Sequence, residues 1–338
     1  MERKRILFVI EAIGGGVFIY IVDLANELSM NYKVYVAYAV RPQTSANYKD
    51  YFESHIHLHS SEAGVLGRVI FDDKIIPIFY TFHPYSFLMK NHNMLKRMLY
   101  KVIDTICAKV DCTTVSSSKG EYEKTLKLTR KAEYINNGIN VDELQKILDG
   151  VQRDKNKYTV FTLERICYRK NSILFNKIAL TMPDEKFLCI RDGELRAEFT
   201  VPNIEITGWA DRNKVLEFST QGEVFVLPSL WEGRPISLLE VMYMKKLCVV
   251  NDVIGNRNVV VNNVNGYVFD SVEAFVYGII NGGTELIEKV YEDVLSEYNT
   301  KVMAIMAEKY STIYKKMIGV YYLNSINLFA TTAKAVAA

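Results

Sequence analysis

Apolar positions along the chain follow two alternating patterns. Arg5–Ile10 (RILFVI) is a short β-branched and aromatic run, which predicts a buried strand. Gly14-Gly15-Gly16 predicts a turn. From Val17 to Ser29 the apolar residues Ile21, Leu24, Ala25 and Leu28 recur at helical spacing. Lys33–Ala39 reads as the next strand, and Ile75–Thr81 and Cys112–Ser116 as further ones, with helices between and after them. Strand–helix–strand alternation predicts an α/β fold with parallel, helix-covered sheets.

The series restarts after a polar break, Asp149–Lys157 (DGVQRDKNK). Thr159–Leu163, Phe187–Ile190, Ile204–Thr207, Val224–Leu227 and Leu247–Asn251 are predicted strands. The break places a domain boundary, giving a first doubly wound domain over 1–150 and a second over 151–309, facing each other across a cleft. Residues 310–338 are expected to begin with an aromatic-rich helix, Tyr310–Leu328, that returns to the first domain. No clear strand-plus-helix unit lies between Lys33–Ala39 and His59, so the first domain is expected to be shortened. Ligands in such sheets sit beyond the carboxyl ends of the strands.

Composition narrows the function classes. A chain of 338 residues exceeds one ordinary core. Lys+Arg 41 against Asp+Glu 39 leaves a net charge of +2, which argues against a dedicated nucleic-acid binder. No apolar run approaches the roughly 20 residues of a membrane span. The first apolar stretch stops at Glu11, too soon for a secretory signal. Cys107, Cys112, Cys167, Cys189 and Cys248 lack C-x-x-C spacing and are expected to be reduced core residues of a cytoplasmic protein, without zinc.

Pro228–Glu240 (PSLWEGRPISLLE) carries the clearest chemistry. Gly233 and Pro235 predict a turn into a helix over Ile236–Met244, with the backbone N–H groups of Ser237, Leu238 and Leu239 facing one opening. Such a helix start suits a phosphate. Glu232 and Glu240 flank it; spacing alone leaves them equally readable as surface glutamates. Arg165 and Lys170 follow the first strand of the same domain in FTLERICYRKN. One fork-shaped and one point-like cation near a helix start suit a diphosphate.

With these segments in hand, the sequence resembles glycosyltransferase family 4, the retaining GT-B group 1 glycosyltransferases that use nucleotide-sugar donors. GGGVFIYIVDLANEL, HSSEAGVLGR, YTFHPYSF, SSSKGEYEKTL, YINNGIN, ITGWADRNKVLEF, VLPSLWEGRPISLLEVM and NNVNGYVF resemble the family's segments in order. The resemblance implies two Rossmann-like domains and a metal-independent, cofactor-free, retaining transfer from a nucleotide-diphosphate sugar, UDP-sugar favoured. It implies that Glu232 lies beside the donor sugar and that Glu240 hydrogen-bonds the ribose. It implies that Arg165 and Lys170 neutralise the diphosphate, that Gly14, Gly15 and Gly16 approach the phosphates or line the acceptor side, and that His83 sits near the reacting sugar. Read without the family, His83 is a loop histidine and His59 a strand end; His92 carries no signal.

Three positions depart from the family's pattern. Glu164 and Arg191 stand where it has glycine, and Arg234 where it has a neutral residue. They keep open a weakened transferase or a non-catalytic partner subunit. A UDP-sugar 2-epimerase on the same fold would need further acid–base groups, which do not assemble here. A dinucleotide dehydrogenase is disfavoured because Gly14–Gly16 is not G-x-G-x-x-G.

Residues 83–131 hold ten Lys/Arg against four acids, a local +6. NMLKRMLYKVIDTICAKV combines helical apolar spacing with cations. Such a face suits an anionic membrane surface or a lipid diphosphate acceptor, and equally a solvated basic face over an ordinary core helix. The expected role is extension of a lipid-linked saccharide for a capsule or surface polysaccharide, at the inner face of the plasma membrane.

Overall fold

The structure is a computed structural model that describes residues 5–10, 15–38, 58–70, 78–83, 85–88, 92–151, 157–299 and 302–316. It contains two six-stranded sheets. The first comprises β1 (Arg5–Ile10), β2 (Lys33–Tyr38), β3 (Leu58–His59), β4 (Ile78–Thr81), β5 (Cys112–Ser116) and β6 (Ala132–Tyr134), ordered β2-β1-β3-β4-β5-β6. The second comprises β7 (Tyr158–Thr162), β8 (Phe187–Cys189), β9 (Ile204–Ile206), β10 (Gly222–Leu227), β11 (Leu247–Asn251) and β12 (Tyr267–Phe269), ordered β12-β11-β10-β7-β8-β9. Every strand pair is parallel. The winding direction reverses between β1 and β3 and between β7 and β10, which defines a crevice at each reversal.

Helices cover both sheets: α1 (Gly15–Ser29), α2 (Ser61–Ile70), α3 (Met94–Cys107), α4 (Lys119–Thr125) and α5 (Val141–Asp149), then α6 (Ser172–Thr181), α7 (Arg212–Thr220), α8 (Ile236–Tyr243), α9 (Ile254–Arg257), α10 (Val272–Asn281) and α11 (Thr284–Glu297). A twelfth, α12, runs over 302–316. Several starts are fixed by side chains: Asn93, Ser118, Asn140, Asp211 and Ser271 each accept a first-turn amide.

The second sheet is covered on both faces. One core joins Phe161, Phe225 and Leu227 to Leu238, Leu239 and Val290; the other joins Val160, Phe187 and Val249 to Phe175, Ile178 and Phe275. In the first sheet, Phe8, Ile21, Leu24 and Val115 form a core with Met303, Met306, Tyr310 and Tyr314 of α12. The last described helix therefore completes the first core. All five cysteines are free and buried, as expected.

The predicted strands match β1, β2, β4, β5 and β7 to β11 within a few residues. The sequence reading omits β6 and β12, of three residues each, and has of β3 only the strand end at His59. Gly14 lies outside the described residues, and Gly15 and Gly16 open α1 rather than forming a turn. The expected helix Tyr310–Leu328 begins earlier than expected, within α12, and its part beyond 316 lies outside the described residues.

Past β8 the chain turns through Arg191 at φ 145°. This backbone region favours glycine, the residue the family resemblance expects there. A side chain held there stores on the order of 1–3 kcal/mol of strain. Arg191→Gly relieves it while loosening the unfolded chain, so a net gain of about 1 kcal/mol is expected in urea unfolding.

Candidate functional site

The carboxyl ends of β7 and β10 are adjacent strands of one sheet, and the loops leaving them meet. The loop after β7 runs from Leu163 into a short 3-10 turn at Tyr168–Lys170. Asn171 ends that turn in the left-handed conformation, φ 54°, and its amide donates to the Pro228 carbonyl at 3.2 Å. The Leu230 amide donates to the Arg169 carbonyl at 2.9 Å, and Asn251 donates to the carbonyls of Pro228 and Ser229. Gly255 of α9 presses on the same loop. A Cβ there would lie 2.2 Å from the Gly233 carbonyl oxygen and 2.5 Å from that of Glu232. These contacts fix the Glu232 segment against the turn that carries Lys170.

Lys170 is the centre of the cluster. Its buried ammonium donates to Glu232 Oε1 at 2.6 Å and forms a second ion pair with Glu164. Arg169 approaches Glu232 Oε2 at 3.9 Å. Burial works against ionisation of Glu232, but Lys170 and then Arg169 hold its carboxyl below the usual range. Glu164 also accepts from the Ser237 hydroxyl at 3.1 Å, at the start of α8. The departure at Glu164 thus binds Lys170, which the resemblance assigns to the diphosphate, and a hydroxyl at the helix start whose amides are expected to face a phosphate.

Glu240 is buried within α8 and accepts from Arg212 Nη1 at 2.6 Å. Arg212, one residue past the α7 cap, is a site residue that sequence reasoning missed. Its signal lies in GWADRNKV, where it follows the helix-capping Asp211. Arg169 was missed as well. Pro235 caps α8, as expected for a proline at a helix start. Among the three amides expected to face the opening, that of Leu238 donates to the Pro235 carbonyl at 3.2 Å, and the Leu238 and Leu239 side chains are fully buried core. Arg165 takes a different partner from Lys170. Its half-exposed guanidinium pairs with Glu194 at 3.0 Å, beside the loop that follows β8.

The first sheet contributes His59 at the end of β3 and His83 just past β4. Their rings are stacked, with His59 Nδ1 and His83 Nε2 3.0 Å apart. Tyr20 of α1 meets both rings edge-on. Desolvation lowers the His83 imidazole to about 4, so it is neutral near pH 7. Its φ of 43° shows that the chain holds it in a conformation few side chains adopt. His92 lies away from this pair, against Tyr100.

Arg234, the third departure, is buried, and its Nε and Nη1 lack hydrogen-bond partners. Its guanidinium lies over the Tyr298 ring at 5.2 Å. Across from the same loop stands Glu121 of α4. A Cβ on Gly233 would lie 3.0 Å from Glu121 Oε1, which is also without a hydrogen-bond partner. Helix α4 of the first domain therefore meets the segment that carries Glu232, with Glu121 and Arg234 both buried there.

Comparison with known proteins agrees with this architecture. Residues 168–282 match the family model "Glycosyl transferases group 1". Sucrose-phosphate synthase from Thermosynechococcus elongatus has the same fold, with TM-score 0.74 and 15% identity over 94% of this chain and 100% of that one. Anabaena HepE, solved in complex with UDP-glucose, gives TM-score 0.71 at 13% identity over 91% and 99% of the two chains. The fold is GT-B. Among curated proteins, the chain is 27% identical to the UDP-Gal:alpha-D-GlcNAc-diphosphoundecaprenol alpha-1,3-galactosyltransferase of Escherichia coli, over 67% of this chain. The match spans 65% of that relative's length.

Burial is the main cause that raises the Glu121 carboxyl from 4.5 to about 7, although Ser117 and Ser118 bonds and Arg234 oppose it. The folded protein then holds this proton where the unfolded chain releases it, so stability falls as pH rises from 4.5 to 7 and levels off above. Glu121→Gln removes that titration. Relative to the native chain, the variant is expected to gain about 3 kcal/mol more in urea unfolding at pH 8 than at pH 4.5.

Proposed function

We propose that the chain is a retaining glycosyltransferase. In this reading it moves a sugar from a UDP-sugar to a lipid-linked saccharide during surface or capsular polysaccharide synthesis, at the inner face of the membrane that carries the acceptor. One observation carries the reading: Lys170, fixed between Glu232 and Glu164 at the mouth of β7 and beside the start of α8. The E. coli relative, named for a UDP-Gal donor and a diphosphoundecaprenol-linked acceptor, supports the substrate classes.

In the proposed reaction the bond between the anomeric carbon and the diphosphate oxygen breaks, and its electron pair leaves with UDP. The acceptor hydroxyl oxygen bonds to the same face of that carbon, and its proton passes to the departing phosphate oxygen. Negative charge grows on the diphosphate, where Lys170 and the α8 start stand ready to stabilise it. Arg165 joins them by exchanging Glu194 for phosphate, and Lys170 by exchanging Glu164. Glu232 keeps Arg169 as partner and accepts from sugar hydroxyls; Glu240, oriented by Arg212, accepts from the ribose. Neutral His83 offers a hydrogen bond near the reacting sugar without adding charge. These protein cations do the work a metal would do, so no metal or other cofactor enters the reaction.

A second reading, a non-catalytic partner subunit, is favoured by one observation: Glu164 already occupies Lys170 and Ser237. The two readings separate in a transfer assay with UDP-galactose, UDP-glucose and UDP-N-acetylglucosamine and a GlcNAc-diphospholipid acceptor, run in chelator. Transfer with an α-linked product by NMR is expected, with a loss of at least about 100-fold in kcat for Lys170→Ala. Glu164→Gly is expected to tighten UDP binding by calorimetry. No transfer, with UDP bound, would decide for the partner subunit.

A further inference from the structure

Helices α2 and α3 are turned inside out. The buried residues of α3 are Asp104 and Cys107. On its solvent side stand Met94, Leu95, Met98, Leu99, Val102 and Ile106, from 52% to 77% exposed. The neighbouring α2 repeats the pattern: Ala63, Gly64, Gly67 and Arg68 face inward, while Leu66, Val69 and Ile70 are 60% to 76% exposed. A buried ion pair, Arg68–Asp104 at 3.4 Å, joins the two helices, with Arg68 over the Tyr80 ring. Soluble surfaces rarely gather large apolar side chains in this way; where they do, something covers them.

The charges beside the ridge indicate what covers it. Lys96 and Lys101 are exposed on α3, and its one acid, Asp104, is buried against Arg68. A second copy docked by symmetry would set like charges against each other. An apolar ridge flanked on α3 by the exposed cations Lys96 and Lys101 instead matches a helix lying in the headgroup region of an anionic bilayer. The ridge also adjoins the site. Arg97 Nε donates to the Phe87 carbonyl at 3.1 Å, tying α3 to the turn that follows His83.

We infer that the exposed faces of α2 and α3 insert into an anionic phospholipid surface and hold the His83 side of the cleft where a lipid-linked saccharide emerges. The inference deepens the proposed function and rests on its lipid-linked acceptor.

Vesicle flotation of the full chain tests it, comparing phosphatidylcholine containing phosphatidylglycerol with phosphatidylcholine alone. Flotation with the anionic vesicles only is expected. Leu95→Gln with Leu99→Gln should weaken it about tenfold at any salt concentration. Lys96→Gln with Lys101→Gln should weaken it on the order of tenfold at low salt and little at high salt. Both pairs should keep the native rate of transfer to a water-soluble form of the same saccharide. Absence of flotation, or a dimer that the Leu95/Leu99 pair dissolves, overturns the inference. Flotation without transfer to any acceptor would sink the proposed reaction while the docking surface stands.

Discussion

An ammonium removed from water must be given its counter-charges by the fold, and Lys170 receives two of them. Glu232 comes from the loop after β10 and Glu164 from the loop after β7, so the cation ties together two neighbouring strand ends. Removing either carboxylate leaves the lysine half compensated in a buried place, a condition that ordinarily costs several kcal/mol. The arrangement is also asymmetric. Glu232 has Arg169 at 3.9 Å as a further partner, whereas the further hydrogen bond of Glu164 is to the neutral Ser237 hydroxyl and Arg169 acts on it more weakly. An incoming phosphate would therefore exchange more readily with Glu164 than with Glu232. On the proposed reading, Glu164 is the internal anion that keeps the lysine placed until a substrate replaces it.

Much of the fold was legible because parallel strands buried on both faces read as continuous apolar runs, such as FVI in β1, VFVL in β10 and LCVVN in β11. β6 and β12, which escaped, and β3, of which only the end at His59 was readable, are too short for any periodicity to register. Their place is set by neighbours: Leu58 and His59 pair with β1 on one side and β4 on the other. The glycine-rich segment misled because three glycines read as a turn, yet Gly15 begins a helix.

Glu232 and Glu240 stood out because charge and a helix start coincide in one segment, and Lys170 because it follows a strand end of the same sheet. Arg212 and Arg169 did not, since their importance lies in partners far away in sequence. Arg165 illustrates the converse: a cation whose side chain is held by Glu194, a choice among nearby carboxylates that sequence does not reveal. The orientation of α3 was undetermined for the same reason. Helical spacing reveals a two-faced helix but not which face meets the protein, and here Arg68, 36 residues before Asp104, decides it.

One consequence of α12 concerns synthesis rather than catalysis. Met303, Met306, Tyr310 and Tyr314 fill the core formed by β1, β2, β4 and α1, so these segments wait for a helix translated after the whole second sheet. Until those side chains arrive, Phe8 and Ile21 lack part of their cover, while the second sheet already has every strand it needs. The molecule is thus expected to mature in the opposite order to its emergence from the ribosome, its final described helix acting as the keystone of its first half.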